Sequence, residues 1–400
     1  MTAPDTRPTI RLKPKADARA IRHGMPWVYA DDLVTDRRTK ALAPGSLAVL
    51  EDAERAPLAL AAITPASKII ARVLDADPQA EIDQAWFSTR LARALALRET
   101  LYDAPFYRLV HAEGDGLPGL IIDRFGDTCV LQPNAAWLEA RLAPLTAALQ
   151  EVTGVAHVLK SASGRARALE GLDDASGPLA GAPPARIAVP MTGATYIADL
   201  AGGQKTGLFY DQRPNHAFAA RFAKGARVLD VFSHVGGFAL AALAAGAQSA
   251  LAVDGSAPAL ALAEEGAAAT GVADRFATRK SDAFAALETL ATEGAQFDLV
   301  ICDPPAFAPA KSALGQGLRA YERVARLAAP LVAPGGALML CSCSHAAELA
   351  KFRAACLRGV GRAGRASQIV YTGAAGPDHP LHPQLGETGY LKTLMLRLLP

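Results

Sequence analysis

The sequence predicts an α/β protein. Its C-terminal half reads as a Rossmann-like, doubly wound parallel sheet, with a β-rich module and a small α+β domain before it. Three observations predict this. From about Ile187 onward, short β-type runs alternate with Ala-rich helical runs joined by short connections, the pattern of a parallel sheet covered on both faces. The first 75 or so residues instead hold apolar runs too short for helices, separated by turn residues. And 400 residues exceed what one core usually holds. The expected domains are 1–78, 79–186 and 187–400.

Composition narrows the class. The chain is 51% hydrophobic and 20% charged, so it has the apolar surface that a disordered chain lacks. No uncharged apolar stretch is long enough to span a bilayer, and Met1–Arg11 has no signal-peptide core, so no membrane partner is expected. Five cysteines without a CxxC pair argue against a disulfide framework or a structural zinc, and suit a reducing cytoplasm. No metal is expected. Residues 1–40 carry nine Lys or Arg against five Asp, a basic region that can lie on phosphates or simply face solvent.

In the first module, Gly45–Leu50, Leu58–Ile63 and Ile69–Leu74 read as strands closing near Asp75–Pro78. A helix is predicted over Ile82–Tyr102, with Trp86, Leu91, Leu95 and Leu97 on its apolar face. Tyr107–Val110, Leu120–Asp123 and Val130–Gln132 read as strands, Leu138–Leu149 as a helix and Val155–Lys160 as a strand. Glu113–Gly119 reads as a turn-rich loop in which Glu113 and Asp115 shape a turn or do more. The Gly/Ser/Pro/Ala-rich stretch Ser161–Pro184 reads as a surface loop.

The C-terminal half carries the chemistry. Arg227–Phe232 is a strand running into Ser233-His-Val-Gly-Gly237, and a helix follows. The loop reads DxFxxxGG rather than GxGxxG, which favours an adenosine ligand without pyrophosphate, and S-adenosylmethionine fits. Asp230, Phe232, Ser233, Gly236 and Gly237 are the candidates there. Asp254, ending the next strand 24 residues after Asp230, suits ribose hydroxyls, a helix N-cap beside Ser256, or both. Asp282 follows a third strand, and Asp303-Pro304-Pro305 tips a fourth. Four strand tips in order, each with a suitable residue, predict a class I methyltransferase domain. Before the first strand, Gln212 and Arg213 are placed to reach the methionine end of the cofactor. Arg213 would pair its carboxylate, or form an ion pair with Asp211 or Asp199.

Two catalytic readings meet at neighbouring strand tips. Asp303-Pro304-Pro305-Ala306-Phe307 resembles the tip with which amino-group methyltransferases grip an exocyclic nitrogen while an aromatic stacks on the base. The following strand ends in Ser342-Cys343-Ser344, and a cysteine there suggests covalent chemistry. A thiolate adding to carbon-6 of cytosine makes carbon-5 nucleophilic. Cys341, Cys129 and Cys356 read as core residues. Cys302 should point away from the Asp303 side chain, as a core residue or as a second cysteine assisting release.

The sequence resembles the bacterial large-subunit rRNA cytosine-5 methyltransferases of the methyltransferase I type, PUA-fused enzymes that act on 23S rRNA. The resemblance covers nearly the whole chain. It is carried by His23–Tyr29, Pro44-Gly45, Ser67–Val73, Arg108–Leu120, Gly202–Arg213, the Ser-Cys-Ser run at Cys343, Gly376–Pro380 and Gly389–Lys392. The last two match the family's C-terminal strands. Two positions depart: His216 stands where the family commonly has Arg, and Ala306 where it commonly has Lys. The resemblance implies Cys343 as nucleophile with Asp303 beside it, S-adenosylmethionine as cofactor and 23S rRNA as partner. It further implies a PUA domain that reads RNA shape and phosphates, and a homodimer. Lys13, Lys15, Arg22, Lys205, Pro304, Pro305 and Phe307 become candidate RNA contacts, with Arg11 and Arg19 beside them, while Trp27 reads as core. The competing readings are an amino-group RNA methyltransferase working through Asp303, and a PUA RNA-binding protein with an inactive methyltransferase fold.

Overall fold

The strands are β1 (Thr9–Arg11), β2 (Trp27–Tyr29), β3 (Ser46–Glu51), β4 (Pro57–Ile63) and β5 (Ile69–Asp75), which form one sheet in the order β1-β3-β4-β5-β2. The computed structural model describes residues 7–162, 164–200, 202, 207–386 and 389–400, with the side chains of 165 and 166 outside the description. Leu50, Ile63 and Ile70 alternate inward and bury one core with Ile10, Val28 and Leu33.

A helix follows over Gln84–Leu101, its first turn capped by Asp83, whose carboxylate accepts the Trp86 N–H at 2.9 Å. Its buried face is Trp86, Phe87, Leu91, Ala94 and Arg98. Leu97, expected on that face, is 41% exposed, and Arg98 takes the inward place. The second sheet contains β6 (Phe106–His111), β7 (Leu120–Phe125), β8 (Thr128–Pro133), β9 (His157–Lys160) and β10 (Gly177–Ala180), in the order β10-β9-β8-β7-β6. β8 and β9 are parallel and are joined through the helix Leu142–Thr153.

Contacts divide the chain into two units, Met1–Pro184 with Pro377–Thr388, and Ala185–Gly376 with Gly389–Pro400. This differs from the three expected domains in two ways. Leu60, Ala62 and Leu74 of the first sheet are buried in one cluster with Phe87, Leu131 and Trp137 of the next region, so beside its own core the first module shares a second one across residue 78. Pro377–Thr388 belongs to the first unit rather than to the C-terminal domain. Gly376–Pro380 is not a strand, and a charge network holds it. Arg98 is fully buried and grips Asp115 with two bonds of 2.6 and 2.8 Å, while also donating to the Asp378 carbonyl at 2.8 Å. The Asp378 carboxylate accepts the Arg108 N–H at 3.0 Å, and Arg108 pairs with buried Asp123. Asp115 is thus an ion-pair anchor, and Glu113 accepts the Trp27 indole N–H at 2.9 Å.

Ser161–Pro184 is not a plain loop. It holds the short helix Arg165–Leu169 and the edge strand β10. Arg167 is buried there, donating to the carbonyls of Pro133 and Asp173 and pairing with Glu139. Its small-residue composition conceals this polar anchor.

The second unit opens with a hairpin the sequence reading missed, β11 (Arg186–Met191) and β12 (Ala194–Asp199). Its two turn residues, Thr192 and Gly193, both have positive φ, the backbone that suits the strands' twist. The seven-stranded sheet follows: β13 (Arg227–Val231), β14 (Ser249–Asp254), β15 (Phe276–Lys280), β16 (Phe297–Cys302), β17 (Val332–Ser342), β18 (Ser367–Gly373) and β19 (Lys392–Leu398). The order is β15-β14-β13-β16-β17-β19-β18, parallel except for β19, which runs antiparallel to both neighbours. The chain goes outward from β13 through β14 to β15, then returns to β16 on the other side of β13. That reversal leaves a crevice at the carboxyl ends of β13 and β16.

Candidate functional site

The loop after β13 is bent back on itself. Phe232, His234 and Gly236 have φ of 64°, 49° and 79°, and two of these are not glycine. Such backbone is strained for a side-chain-bearing residue and persists only where its surroundings hold it. Here the Asp254 carboxylate does so, accepting the His234 N–H at 2.9 Å. Gly237 starts the helix Gly237–Ala244, and a Cβ there would lie 2.8 Å from the His216 ring. His216 is a buried, neutral packing group, its pKa pushed down to about 3 by burial, with Phe238 edge-on at 4.4 Å. Its ring occupies the space beneath the glycine.

Asp230 is completely buried. One carboxylate oxygen accepts the Ala239 N–H in the first turn of that helix at 3.0 Å, and the other has no partner among the described residues. Burial pushes its pKa up to about 7, opposed by that backbone bond. The Ser233 hydroxyl is also buried without a partner among the described residues. Asp254 accepts the Ser256 N–H as well, and it is Ser256 that caps the helix Ala257–Thr270. Asp282 is exposed and caps the helix Ala283–Thr292 through the Ala285 N–H.

At the tip of β16, Asp303 accepts the Gln212 side-chain N–H at 2.9 Å. Gln212 in turn accepts from Asn215 at 2.6 Å, and Asn215 is braced by the Ala374 carbonyl and the Tyr371 hydroxyl. Burial and then the Asp211 carboxylate push the Asp303 pKa up to about 8, so this group is largely a neutral acid at pH 7. Asp211 accepts the Tyr390 hydroxyl at 2.6 Å, and Arg213 lies over the Tyr210 ring at 5.2 Å. Pro304 is buried and Pro305 exposed. Phe307, expected to stack on a base, is instead packed among Tyr321, Phe284 and Phe232 on the edge of the core, with the Tyr321 ring 5.0 Å away. Aromatic neighbours on this scale hold the ring as part of the fold.

The tip of β17 explains the Ser-Cys-Ser run. Ser342 and Ser344 are fully buried and share the Tyr321 hydroxyl, at 2.8 and 2.7 Å. Ser344 also accepts the Ala308 N–H, which ties this tip to the Asp303–Phe307 loop. The two serines anchor the turn on either side of Cys343. Cys343 alone of the five cysteines is not buried, and none is in a disulfide. Cys341 is buried against the Thr393 hydroxyl, and burial pushes its thiol well up. Cys302 is likewise buried in the core with a raised pKa, so a part for it in release finds no support. Lys392 at the start of β19 pairs with Ser342 in register and donates to the Ser344 carbonyl at 2.6 Å. The sequence signal for this lysine was a lone cation opening an apolar strand. Tyr321 carried no signal of its own, and Asn215 only its match to the family's Asn-Arg pair.

The proposed RNA residues in the first unit differ in freedom. Lys13 donates to the Asp31 carbonyl at 2.8 Å and Arg22 pairs with Asp52 at 2.7 Å, whereas Lys15 and Arg19 are exposed. Lys205 lies outside the described residues.

Residues 138–369 match the family of S-adenosylmethionine-dependent methyltransferases, and residues 10–76 match a PUA-like domain. A "Ribosomal RNA large subunit methyltransferase I" from Cronobacter sakazakii is 34% identical over 383 residues, 94% of this chain and 96% of that protein. A "Ribosomal RNA large subunit methyltransferase" from Deinococcus radiodurans is 34% identical over 415 residues and covers all of both chains. The chain belongs to the ribosomal RNA large subunit methyltransferase family. Solved structures agree on the fold. A candidate SAM-dependent methyltransferase from Streptococcus mutans matches with a TM-score of 0.81 at 18% identity, over 98% of this chain and 100% of its own. The structure of a candidate methyltransferase in complex with SAH matches at a TM-score of 0.82 and 18% identity, over 98% and 100%. The methyltransferase uses S-adenosylmethionine, and its crevice suits that ligand in two respects. Asp230 keeps one buried oxygen and Ser233 a buried hydroxyl without a partner among the described residues, and Phe209, Phe232 and Phe238 line the wall.

Proposed function

We propose that this methyltransferase modifies carbon-5 of a cytosine in 23S rRNA through a covalent adduct at Cys343. The observation that carries the reading is the pair of neighbouring strand tips. A partly exposed cysteine is held between two buried serines, and an acid with a raised pKa stands at the end of the adjacent strand. S-adenosylmethionine supplies the electrophilic methyl group. Asp230, Phe232, Ser233, Gly236 and Gly237 would hold it, with Asp254 and Ser256 bonding its ribose hydroxyls, Asp282 beside its base, and Gln212 and Arg213 binding its amino-acid part.

The Cys343 thiolate adds to carbon-6 of the cytosine, forming the sulfur–carbon bond and moving electron density onto carbon-5. Asp303, neutral at pH 7, donates a hydrogen bond to the ring edge while Gln212 holds its other oxygen. After methylation a base removes the carbon-5 proton, and the thiolate departs. Pro304 and Pro305 shape the loop beside the base, with the partly buried Phe307 as its support.

The decisive test is a protein–RNA adduct with rRNA carrying 5-fluorocytidine, whose carbon-5 has no proton to lose. Mass spectrometry should place the adduct on the Cys343 peptide. Methyl transfer by Cys343→Ala, with no adduct in the wild type, would overturn the reading in favour of amino-group methylation through Asp303.

A further inference from the structure

Lys392 is a cation in a place that normally excludes one. Its residue is 7% exposed, and no carboxylate among the described residues forms an ion pair with it. A buried ammonium is stable only where hydrogen bonds and an opposite charge compensate lost hydration. The Ser344 carbonyl, at 2.6 Å, supplies the first. The register of β17 on β19 sets Lys392 opposite Ser342, so the ammonium bonds across the turn that presents Cys343.

We propose that Lys392 is a positioning residue that acts as the counter-ion of the Cys343 thiolate, while its bond to the Ser344 carbonyl holds the nucleophile's turn. The inference rests on the reading of Cys343 as nucleophile. The titratable groups described around that turn include Tyr321, Asp303, Asp211 and His345. The Tyr321 hydroxyl is bonded to both serines, and burial raises its pKa, so it stays neutral. Asp303 is largely protonated at pH 7. Asp211 is bonded to Tyr390, whose ring faces His345 at 5.4 Å. Burial lowers the Lys392 pKa, and the charge on Cys343 raises it again. By reciprocity the ammonium draws the thiol's pKa down.

Alkylation of Cys343 by iodoacetamide, followed across pH by mass spectrometry of its peptide, reads the thiol directly. The other four cysteines are buried and stay out of the signal. In the wild type the half-maximal rate should fall below the ordinary thiol value of about 8.5. Lys392→Met should move it up by about one pH unit or more, with kcat at pH 7 falling about tenfold and recovering as pH rises. Lys392→Arg should restore the low midpoint. A wild-type midpoint at or above the ordinary value overturns the proposal even if Lys392→Met does not fold. So does a folded Lys392→Met with an unchanged midpoint, which would make the lysine a tether only. These thiol measurements stand apart from turnover. If Cys343→Ala keeps its activity, the nucleophile reading fails while the counter-ion effect can still be seen.

Discussion

Buried charge is treated in opposite ways in the two units. In the first, Arg98, Asp115, Arg108 and Asp123 are paired with each other, and Asp378 accepts from the backbone of the same network. In the second, Asp230 and Asp211 each keep a buried oxygen without a partner among the described residues, and the pKa values of Asp230 and Asp303 are pushed far up. A satisfied network rigidifies a fold. A half-satisfied one is costly unless a ligand or a reaction completes it. The comparison separates groups that hold the chain together from groups that wait for something to bind.

The largest expected effect sharpens that division. Cys343→Ala should reduce turnover by about a thousandfold or more, as removal of a nucleophile does, while melting temperature and S-adenosylmethionine affinity hold. Arg98→Met should do the reverse. It leaves the buried Asp115 carboxylate without its counter-ion and with only the His111 N–H to bond it, at about 3–5 kcal/mol of stability, which chemical denaturation would measure. Turnover of the folded fraction should change little. A stable Arg98→Met protein would break the comparison.

Asp254→Ala should weaken S-adenosylmethionine by roughly 1.5–3 kcal/mol, about tenfold or more, by loss of charge-assisted bonds and of the brace on His234. Calorimetry on the folded variant would expose an unchanged affinity and remove Asp254 from the site. Asp230→Asn should stabilise the ligand-free protein. The folded pKa of about 7 stands above the ordinary 3.8, so the folded state retains the proton, and stability falls as pH rises between those values. The amide carries no such penalty. Its melting temperature should exceed the wild type's at pH 8, with the difference fading below about pH 4.

The smallest effect concerns RNA. Deleting residues 1–75 would strip Leu60, Ala62 and Leu74 from a shared core, so substitutions are the cleaner probe. Lys15→Gln and Arg19→Gln should each lower the slope of log affinity against log salt by about 0.7 on single-stranded rRNA. Lys13 and Arg22, already engaged within the protein, should change it less. Equal slopes throughout would retire the N-terminal phosphate contacts.

Much of the second unit was legible from residue order. Strand–helix alternation, the Gly236-Gly237 pair after Asp230, and acids at successive strand tips are local patterns, and a parallel sheet gathers strand tips at one edge. The partly exposed position of Cys343 between its two inward serines also follows from local alternation. What sequence alone could not decide depended on partners distant along the chain. Arg98 is inside and Leu97 outside because Asp115 and Asp378 compensate the guanidinium, and one of these lies 280 residues away. Phe307 faces the core because Tyr321 and Phe284 meet it there, and Lys392 reaches the Cys343 turn because β19 returns antiparallel to β17. Periodicity assigns an apolar residue inward by default. Only tertiary contact supplies the hydrogen bonds and opposite charges that let a polar group go there instead.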